Sequence, residues 1–257
     1  MVPVSVVIPC FCCAATIGRA LDSVLRQSRP PAEIILVDDG SNDGSAPAIS
    51  KLHGLSKTIR LERNLGPASA RNAGWNAATQ DYVAFLDADD AWHPRKLELQ
   101  LEWMRAHPDA VMTGHAYVLG GIKSEVTSIG RATRVTARML FLSNRFTTPS
   151  VMLRRTLPQR FRDGKRYSED YLLWLEIVLS GAQAYYLDAP LAVLFKPAYG
   201  AGGLSAELWK MQAGELDTLA RLRRLRLLGL TAYLAASAWS CLKFGRRLLR
   251  GAWQARA

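Results

Sequence analysis

Tyr82-Val83-Ala84-Phe85-Leu86 runs without a polar break into Asp87-Ala88-Asp89-Asp90. An apolar run of this length, closed by an acidic turn, reads as a strand buried on both faces. Three carboxylates within four residues repel one another unless a cation or hydrogen-bond donors sit among them. On residue grounds the cluster is either a solvated acidic turn or a seat for a hard divalent cation such as Mg2+, which takes one or two carboxylates together with phosphate oxygens.

The pattern repeats on either side of this stretch. Residues 4–8 form a buried-strand run, 16–27 carry Ile17, Leu21, Val24 and Leu25 on one helical side, and 33–37 form a second strand that ends in Asp38-Asp39-Gly40-Ser41. Residues 58–61 read as a third strand, 67–78 as a helix of small residues, and 94–107 as a helix with Pro94 near its first turn. Strands alternating with helices predict an α/β fold, a mostly parallel, Rossmann-like sheet flanked by helices on both faces. Ligands of such sheets bind beyond the carboxyl ends of the strands, where both acidic clusters fall.

Beyond residue 118 the pattern weakens. Residues 110–118 and 150–153 read as strands, with a polar, loop-like stretch at 120–134 between them. Ser168 reads as an N-cap, followed by Glu169-Asp170 and an apolar helix over 171–179 that Gly181 closes. Short strands follow at 185–187 and 191–195, then a Gly-rich loop at 197–203, and from Glu207 the chain reads as helix to its end. The domain expectation is one folded unit over 1–206, divisible into 1–118 and 119–206, with a basic helical tail over 207–257. Asn64-Leu65-Gly66-Pro67 opens a helix whose first N–H groups, with Arg71, suit an anion. Close packing through Ala and Gly accounts for the same residues.

Composition is that of a folded protein: 257 residues, 49% hydrophobic and 21% charged, enough for one large core. Cys10, Cys12 and Cys13 crowd one spot and Cys241 lies far away, so reduced cysteines and a cytoplasmic setting are expected. The apolar run at the N-terminus is too short for a secretory leader and reads as the first strand. Net charge is +11, of which +7 lies in residues 207–257.

The motifs Ser5-Val6-Val7-Ile8-Pro9-Cys10-Phe11, Ile35-Leu36-Val37-Asp38-Asp39-Gly40-Ser41, Ala70-Arg71-Asn72-Ala73-Gly74 and Phe85-Leu86-Asp87-Ala88-Asp89-Asp90-Ala91-Trp92, in this order, resemble family 2 glycosyltransferases of the GT-A fold. Tyr167-Ser168-Glu169-Asp170-Tyr171 resembles that family's C-terminal acidic motif. The resemblance implies an inverting transferase that moves one sugar from a nucleotide-diphosphate sugar, a UDP-sugar by preference, to an acceptor hydroxyl with the help of Mg2+ or Mn2+. It implies that Pro9, Phe11, Asp38, Asp39, Arg71, Asp87 and Ala88 line the donor site, with Phe11 against the base and Asp39 binding it. Asp89 is the implied metal ligand, with Asp87 and Asp90 beside it, and Asp170 the implied catalytic base.

The chain departs from the family at several points. Phe11-Cys12 stands where relatives carry Tyr-Asn, and Arg160-Phe161-Arg162-Asp163-Gly164 replaces a Gly-Gly-Phe-Asp stretch on the acceptor side. A late Arg-x-His and Ser segment has only Lys196 and Ser205 to match it. The Gln-x-x-Arg-Trp signature of processive synthases is absent, consistent with one sugar per encounter.

The tail sets Arg221, Arg223, Arg224 and Arg226 on one side of a 16-residue uncharged run, 227–242, and Lys243, Arg246, Arg247 and Arg250 on the other. That run is shorter than the ~20 residues that span a bilayer. Basic residues beside an apolar segment with Trp suit an anionic membrane surface, which predicts a peripheral enzyme at the inner face of the cell membrane acting on a saccharide or lipid-linked saccharide in cell-surface polysaccharide synthesis. Packing on its own domain, or on a second copy in a homodimer, accounts for the same residues.

Two rivals are weaker. A nucleotidyltransferase of related fold should carry a Gly-rich basic loop after the first strand, and residues 10–16 hold neither Gly, Lys nor Arg. A nucleic-acid-binding module should spread its basic residues and aromatics along a groove, whereas the excess charge sits in one tail, so no nucleic acid partner is expected. A dinucleotide fingerprint is absent after the first strand.

Overall fold

The computed structural model describes residues 1–45, 57–121, 125–196 and 207–254, with side chains to residue 249. The strands are β1 (Val2–Cys10), β2 (Pro31–Asp38), β3 (Lys57–Arg60), β4 (Tyr82–Phe85), β5 (Ala91–Trp92), β6 (Ala110–Leu119), β7 (Ala132–Arg134), β8 (Met152–Arg154) and β9 (Gln183–Leu194). The helices are α1 (Ile17–Leu25), α2 (Pro67–Ala77), α3 (Lys96–Ala106), α4 (Ala137–Leu142), α5 (Glu169–Leu179), α6 (Leu208–Arg224) and α7 (Leu230–Gln254). The Gly-rich loop at 197–203 and Ser205 lie outside the described residues.

The strands form one mixed sheet in the order β3-β2-β1-β4-β8-β6-β9-β5, with β7 against β9. The half from β3 to β4 is parallel, as its helix-linked sequence requires, and β8 enters antiparallel beside β4. The strand period of two divides the core into two layers. Val7, Ile35, Val37, Val83 and Phe85 face α2 and α5, while Val6, Ile8, Ile34, Leu36 and Leu86 face α1 and α3.

Several elements differ from the sequence expectation. The two short strands expected at 185–187 and 191–195 are one continuous strand, β9, which pairs parallel with β6 and absorbs register shifts near His115 and Ala116. Short β5, β7 and α4 were not anticipated; each is held by its neighbours more than by its own periodicity. The tail is two helices instead of one, broken between α6 and α7, where Arg226 takes a left-handed backbone (φ 58°).

The tail helices complete the core. Leu219, Leu222, Leu228 and Ala236 are buried in the same cluster as Leu172, Trp174 and Ile177 of α5. Covered by the sheet on one side and by α6 on the other, α5 is apolar almost all round, as a fully enclosed helix should be. Arg221 of α6 pairs with Glu176 of α5 at 3.7 Å.

Cys10 and Cys13 form a disulfide, their Cα atoms 5.8 Å apart, which corrects the expectation of reduced cysteines throughout. The chain reverses just after β1, with Cys12 in a left-handed conformation (φ 50°), and this brings residues three apart together.

Candidate active site

The turn after β2 explains how the acidic strand ends are held. Asp39 donates its N–H to the carbonyl of Cys10 at 2.8 Å and accepts from the N–H groups of Leu65 and Gly66, each at 2.8 Å. Burial raises its carboxyl against the lowering effect of those two donors. The N–H groups ahead of α2 that sequence reading offered to an anion are therefore occupied by Asp39 at Leu65 and Gly66, a correction. Asp38 accepts from the N–H of Ser41 at 2.9 Å. Gly40 between them needs a positive φ of 71°, and a Cβ there would lie 2.7 Å from the backbone of Arg63, so only glycine fits this turn.

Arg71 on α2 is the hub of the site. Its side chain is 6% exposed and reaches Asp87 Oδ1 through Nη2 and Glu169 Oε1 through Nη1, both at 2.8 Å. Burial alone would lower its guanidinium, but Asp87 and Glu169 overcome this and raise it, so the charge is fixed. One planar fork thus ties the end of β4 to the start of α5, 98 residues apart in sequence from Arg71 to Glu169.

The helix start that carries Asp170 differs from a simple N-cap. Ser168 makes no side-chain capping bond and adopts a left-handed backbone (φ 56°), a conformation that costs a non-glycine residue about 1–2 kcal/mol. Asp170 Oδ1 accepts from the Tyr171 N–H at 2.7 Å and Oδ2 from Asn144 Nδ2 at 3.3 Å. Burial raises its carboxyl, opposed by the Tyr171 N–H, Arg71 and Asn144. A carboxylate shifted upward takes a proton more readily at neutral pH.

Arg71, Asp87, Asp89, Asp90 and Asp170 all line one cleft of about 620 Å³. Pro9, Phe11, Asp38, Asp39 and Ala88 do not line it; they lie at the ends of β1 and β2 and within the acidic turn, with Phe11 48% exposed. Further partners complete the arrangement. Lys196 pairs with Asp89 at 3.0 Å, and Arg19 donates to the Asp89 carbonyl at 2.5 Å while stacking on Phe195. Asn144 reaches Asp170, and Lys243 and Arg247 of α7 enter the cleft wall. No local motif marks Arg19, Asn144, Lys243 or Arg247, which arrive by tertiary approach, whereas Lys196 stands at the match to the relatives' late Arg-x-His segment.

The acidic turn suits a divalent cation. Burial, then Asp87 and Asp89, pushes the Asp90 carboxyl up to about 8, against the lowering effect of the Phe195 N–H and Arg19. Asp87 is committed to Arg71, whereas Asp89 stands 37% exposed at the cleft edge. Among the described residues no three His, Cys, Asp or Glu side chains converge on one point. One or two carboxylate ligands completed by diphosphate oxygens is the pattern such a site allows, and the residues fit it.

A parallel half-sheet with an acidic cleft at its strand ends is the layout of α/β enzymes that bind nucleotides there. Residues 5–162 match Glycosyl transferase family 2, and the chain belongs to that family. It is 30% identical over 176 residues, 68% of this chain and 69% of the relative, to the Escherichia coli UDP-Glc:alpha-D-GlcNAc-diphosphoundecaprenol beta-1,3-glucosyltransferase WfgD. In structure it resembles S. aureus TarS 1-349 in complex with UDP-GlcNAc, with a TM-score of 0.68 at 21% identity, covering 85% of this chain and 66% of that one. It also resembles the mannosyltransferase PcManGT from Pyrobaculum calidifontis in complex with GDP-Man and Mn2+, with a TM-score of 0.66 at 20% identity, covering 99% and 81%. The sheet and its flanking helices are thus similar to GT-A glycosyltransferase structures, and the protein is a glycosyltransferase.

Proposed function

We propose that the cleft transfers a single sugar, with inversion, from a nucleotide-diphosphate sugar to a hydroxyl of a saccharide carried on a lipid. The observation that carries this reading is the Arg71 fork, which holds the Asp87–Asp90 turn and Asp170 on one cleft. UDP is the favoured nucleotide and a lipid-linked acceptor the favoured partner, supported by the ligand of the TarS complex and by the printed activity of WfgD. The base lies along Phe11 and the β2 turn with Asp39.

Asp170 takes the acceptor hydroxyl proton as that oxygen bonds to the sugar's anomeric carbon. The bond from that carbon to the diphosphate breaks, and the nucleoside diphosphate leaves with the electron pair. Asp89, with Asp90 or Asp87, would hold Mg2+ or Mn2+, which would offset the charge that develops on the leaving diphosphate. Asn144 holds the Asp170 carboxyl toward the cleft, and Arg71 keeps the two acidic walls in register.

Asp170→Asn keeps the shape and removes the base, so turnover should fall by ~100-fold or more with donor affinity nearly unchanged. Asp89→Ala should abolish Mn2+-dependent donor binding while the protein stays folded. Retained turnover in the first variant, or unchanged metal-dependent affinity in the second, refutes the corresponding role.

Among the described residues no helix is long and apolar enough to cross a membrane. The exposed side of α7, with Leu234, Leu242 and Leu249 beside Arg246, supports a peripheral position on an anionic membrane. Binding of the whole chain to anionic vesicles should weaken as salt is raised.

A further inference from the structure

The acidic turn after β4 is answered from within the chain by the residues just past β9. Lys196 Nζ lies 3.0 Å from Asp89 Oδ2. One residue earlier the Phe195 N–H donates to Asp90 Oδ1 at 3.3 Å. Arg19 of α1 fastens the two segments together, donating from Nη2 to the Asp89 carbonyl while its guanidinium stacks 3.7 Å from the centre of the Phe195 ring. These contacts set one ammonium on the carboxylate that the proposed reaction gives to the metal.

The fork of Arg71 is committed to Asp87 and Glu169, and among the described residues Lys196 supplies the only ion pair of Asp89. A dication entering at Asp89 must therefore move an ammonium off it. With Lys196 54% and Asp89 37% exposed, the pair is of the weak, solvent-screened kind that exchanges readily. The exchange has a direction. A bare dication on Asp89 would face Lys196, positive against positive. A dication that arrives with a diphosphate gives the ammonium a new anion at the same edge of the cleft, which both residues line. A ligand shifts an equilibrium only by its difference in affinity for the two states, and the diphosphate supplies that difference.

We infer that Lys196 is the resident counter-ion of Asp89, holding that carboxylate in the empty cleft and passing to the diphosphate when nucleotide and metal bind together. The inference rests on the sugar-transfer reading of the cleft and adds an order to it, in which the metal is taken up with the nucleotide and not ahead of it. Lys196 competes with the metal in the empty state and binds the donor in the loaded one. Those two roles have opposite signs, which a merely structural lysine would not show. Phe195 and Arg19 are positioning residues that keep the ammonium within reach of both anions.

Binding measurements on the full chain test this, with the electron paramagnetic resonance of free Mn2+ reading the metal and calorimetry reading UDP. In the absence of nucleotide, Lys196→Met should bind Mn2+ about 3-fold more tightly than the unaltered chain, because its competitor for Asp89 is gone. Under saturating Mn2+ the same variant should bind UDP at least about 10-fold more weakly, having lost a charge-assisted contact to phosphate. Uridine, which carries no phosphate, should bind both chains equally. Lys196→Arg keeps the charge and should hold both constants near those of the unaltered chain. Should Lys196→Met fail to melt cooperatively, Lys196→Gln carries the same test.

Equal or weaker Mn2+ binding by Lys196→Met without UDP, or Mn2+ binding detected in neither chain, overturns the counter-ion role. Unchanged UDP affinity under saturating Mn2+ overturns the passage to the diphosphate. Loss of uridine binding alongside UDP would make Lys196 a support of the whole site, and overturns the inference as well. Absence of UDP binding in every chain refutes the donor reading instead, and the comparison of Mn2+ binding without nucleotide still reads the pair of Lys196 with Asp89.

Discussion

Arg71 is the residue whose loss should be felt in both stability and activity. Replacing it with Met leaves Asp87 and Glu169 facing each other without the cation between them, and removing one partner of a buried ionic cluster costs about 3–5 kcal/mol. Urea unfolding of Arg71→Met should show that loss, while Arg71→Lys, which keeps the charge but not the fork, should retain more stability than turnover. A second residue-scale expectation concerns pH. His115 on β6 is buried, and burial followed by the nearby Lys96 charge drives its imidazole down to about 3. Lys96 is itself buried over the Trp92 ring, which lowers its ammonium. A base with a depressed folded pKa contributes stability above its unfolded value and loses it as pH falls. Between about pH 6.5 and 3 the unfolded chain binds a proton at His115 that the folded chain refuses, a slope of up to about 1.4 kcal/mol per pH unit. His115→Gln should flatten the fall in melting temperature across that window; an unchanged slope would place the acid sensitivity elsewhere.

At the scale of elements, α6 is pressed against the segment that delivers Asp170. Lys165 Nζ donates to the Gly214 carbonyl at 2.9 Å and pairs with Asp217 at 2.7 Å, and a Cβ on Gly214 would stand 2.7 Å from the Tyr167 backbone oxygen. Gly214→Ala should push α6 away from residues 165–168, costing about 1–3 kcal/mol as overpacking does. Turnover should fall further than donor affinity, because the displaced segment leads into Asp170. The elements that were legible in the sequence carry their own signal: β1, β2 and β4 are apolar runs, the last two closed by acidic turns, and α1 has a clear apolar side. Those that were not take their form from neighbours. Asp188 and Pro190 read as a break inside what is the single strand β9, and α4 is too short for helical periodicity to show. The site divides the same way: Arg71, Asp87, Asp89, Asp90 and Asp170 sit in local motifs, while Asn144 and Lys243 are identified only by what the fold brings beside them. One signal was present and unread. Tyr171-Leu172-Leu173-Trp174-Leu175 leaves α5 no polar side just past Glu169-Asp170, which requires a covering layer beyond the sheet.

For the whole molecule, that covering layer decides whether the catalytic unit stands alone. Leu219 and Leu222 are essentially unexposed, and each fully buried leucine is worth about 1.5–3 kcal/mol, against a total stability of about 5–15 kcal/mol for a typical domain. A chain ended at residue 206 should therefore lose its cooperative melt and bind a hydrophobic dye, with donor binding lost alongside. A truncated chain that melts within a few degrees of the intact one would show instead that the tail is an accessory. The packing of α6 and α7 on α5 also has a consequence during synthesis. The ribosome makes the donor half first, and its parallel strands can pair as they emerge. Asp170 emerges dozens of residues before Leu219 and Leu222, yet the helix behind it stays bare until they arrive. On the proposed reading, the half that would hold the donor is made early and the helix that carries Asp170, the proposed base, gains its covering layer last.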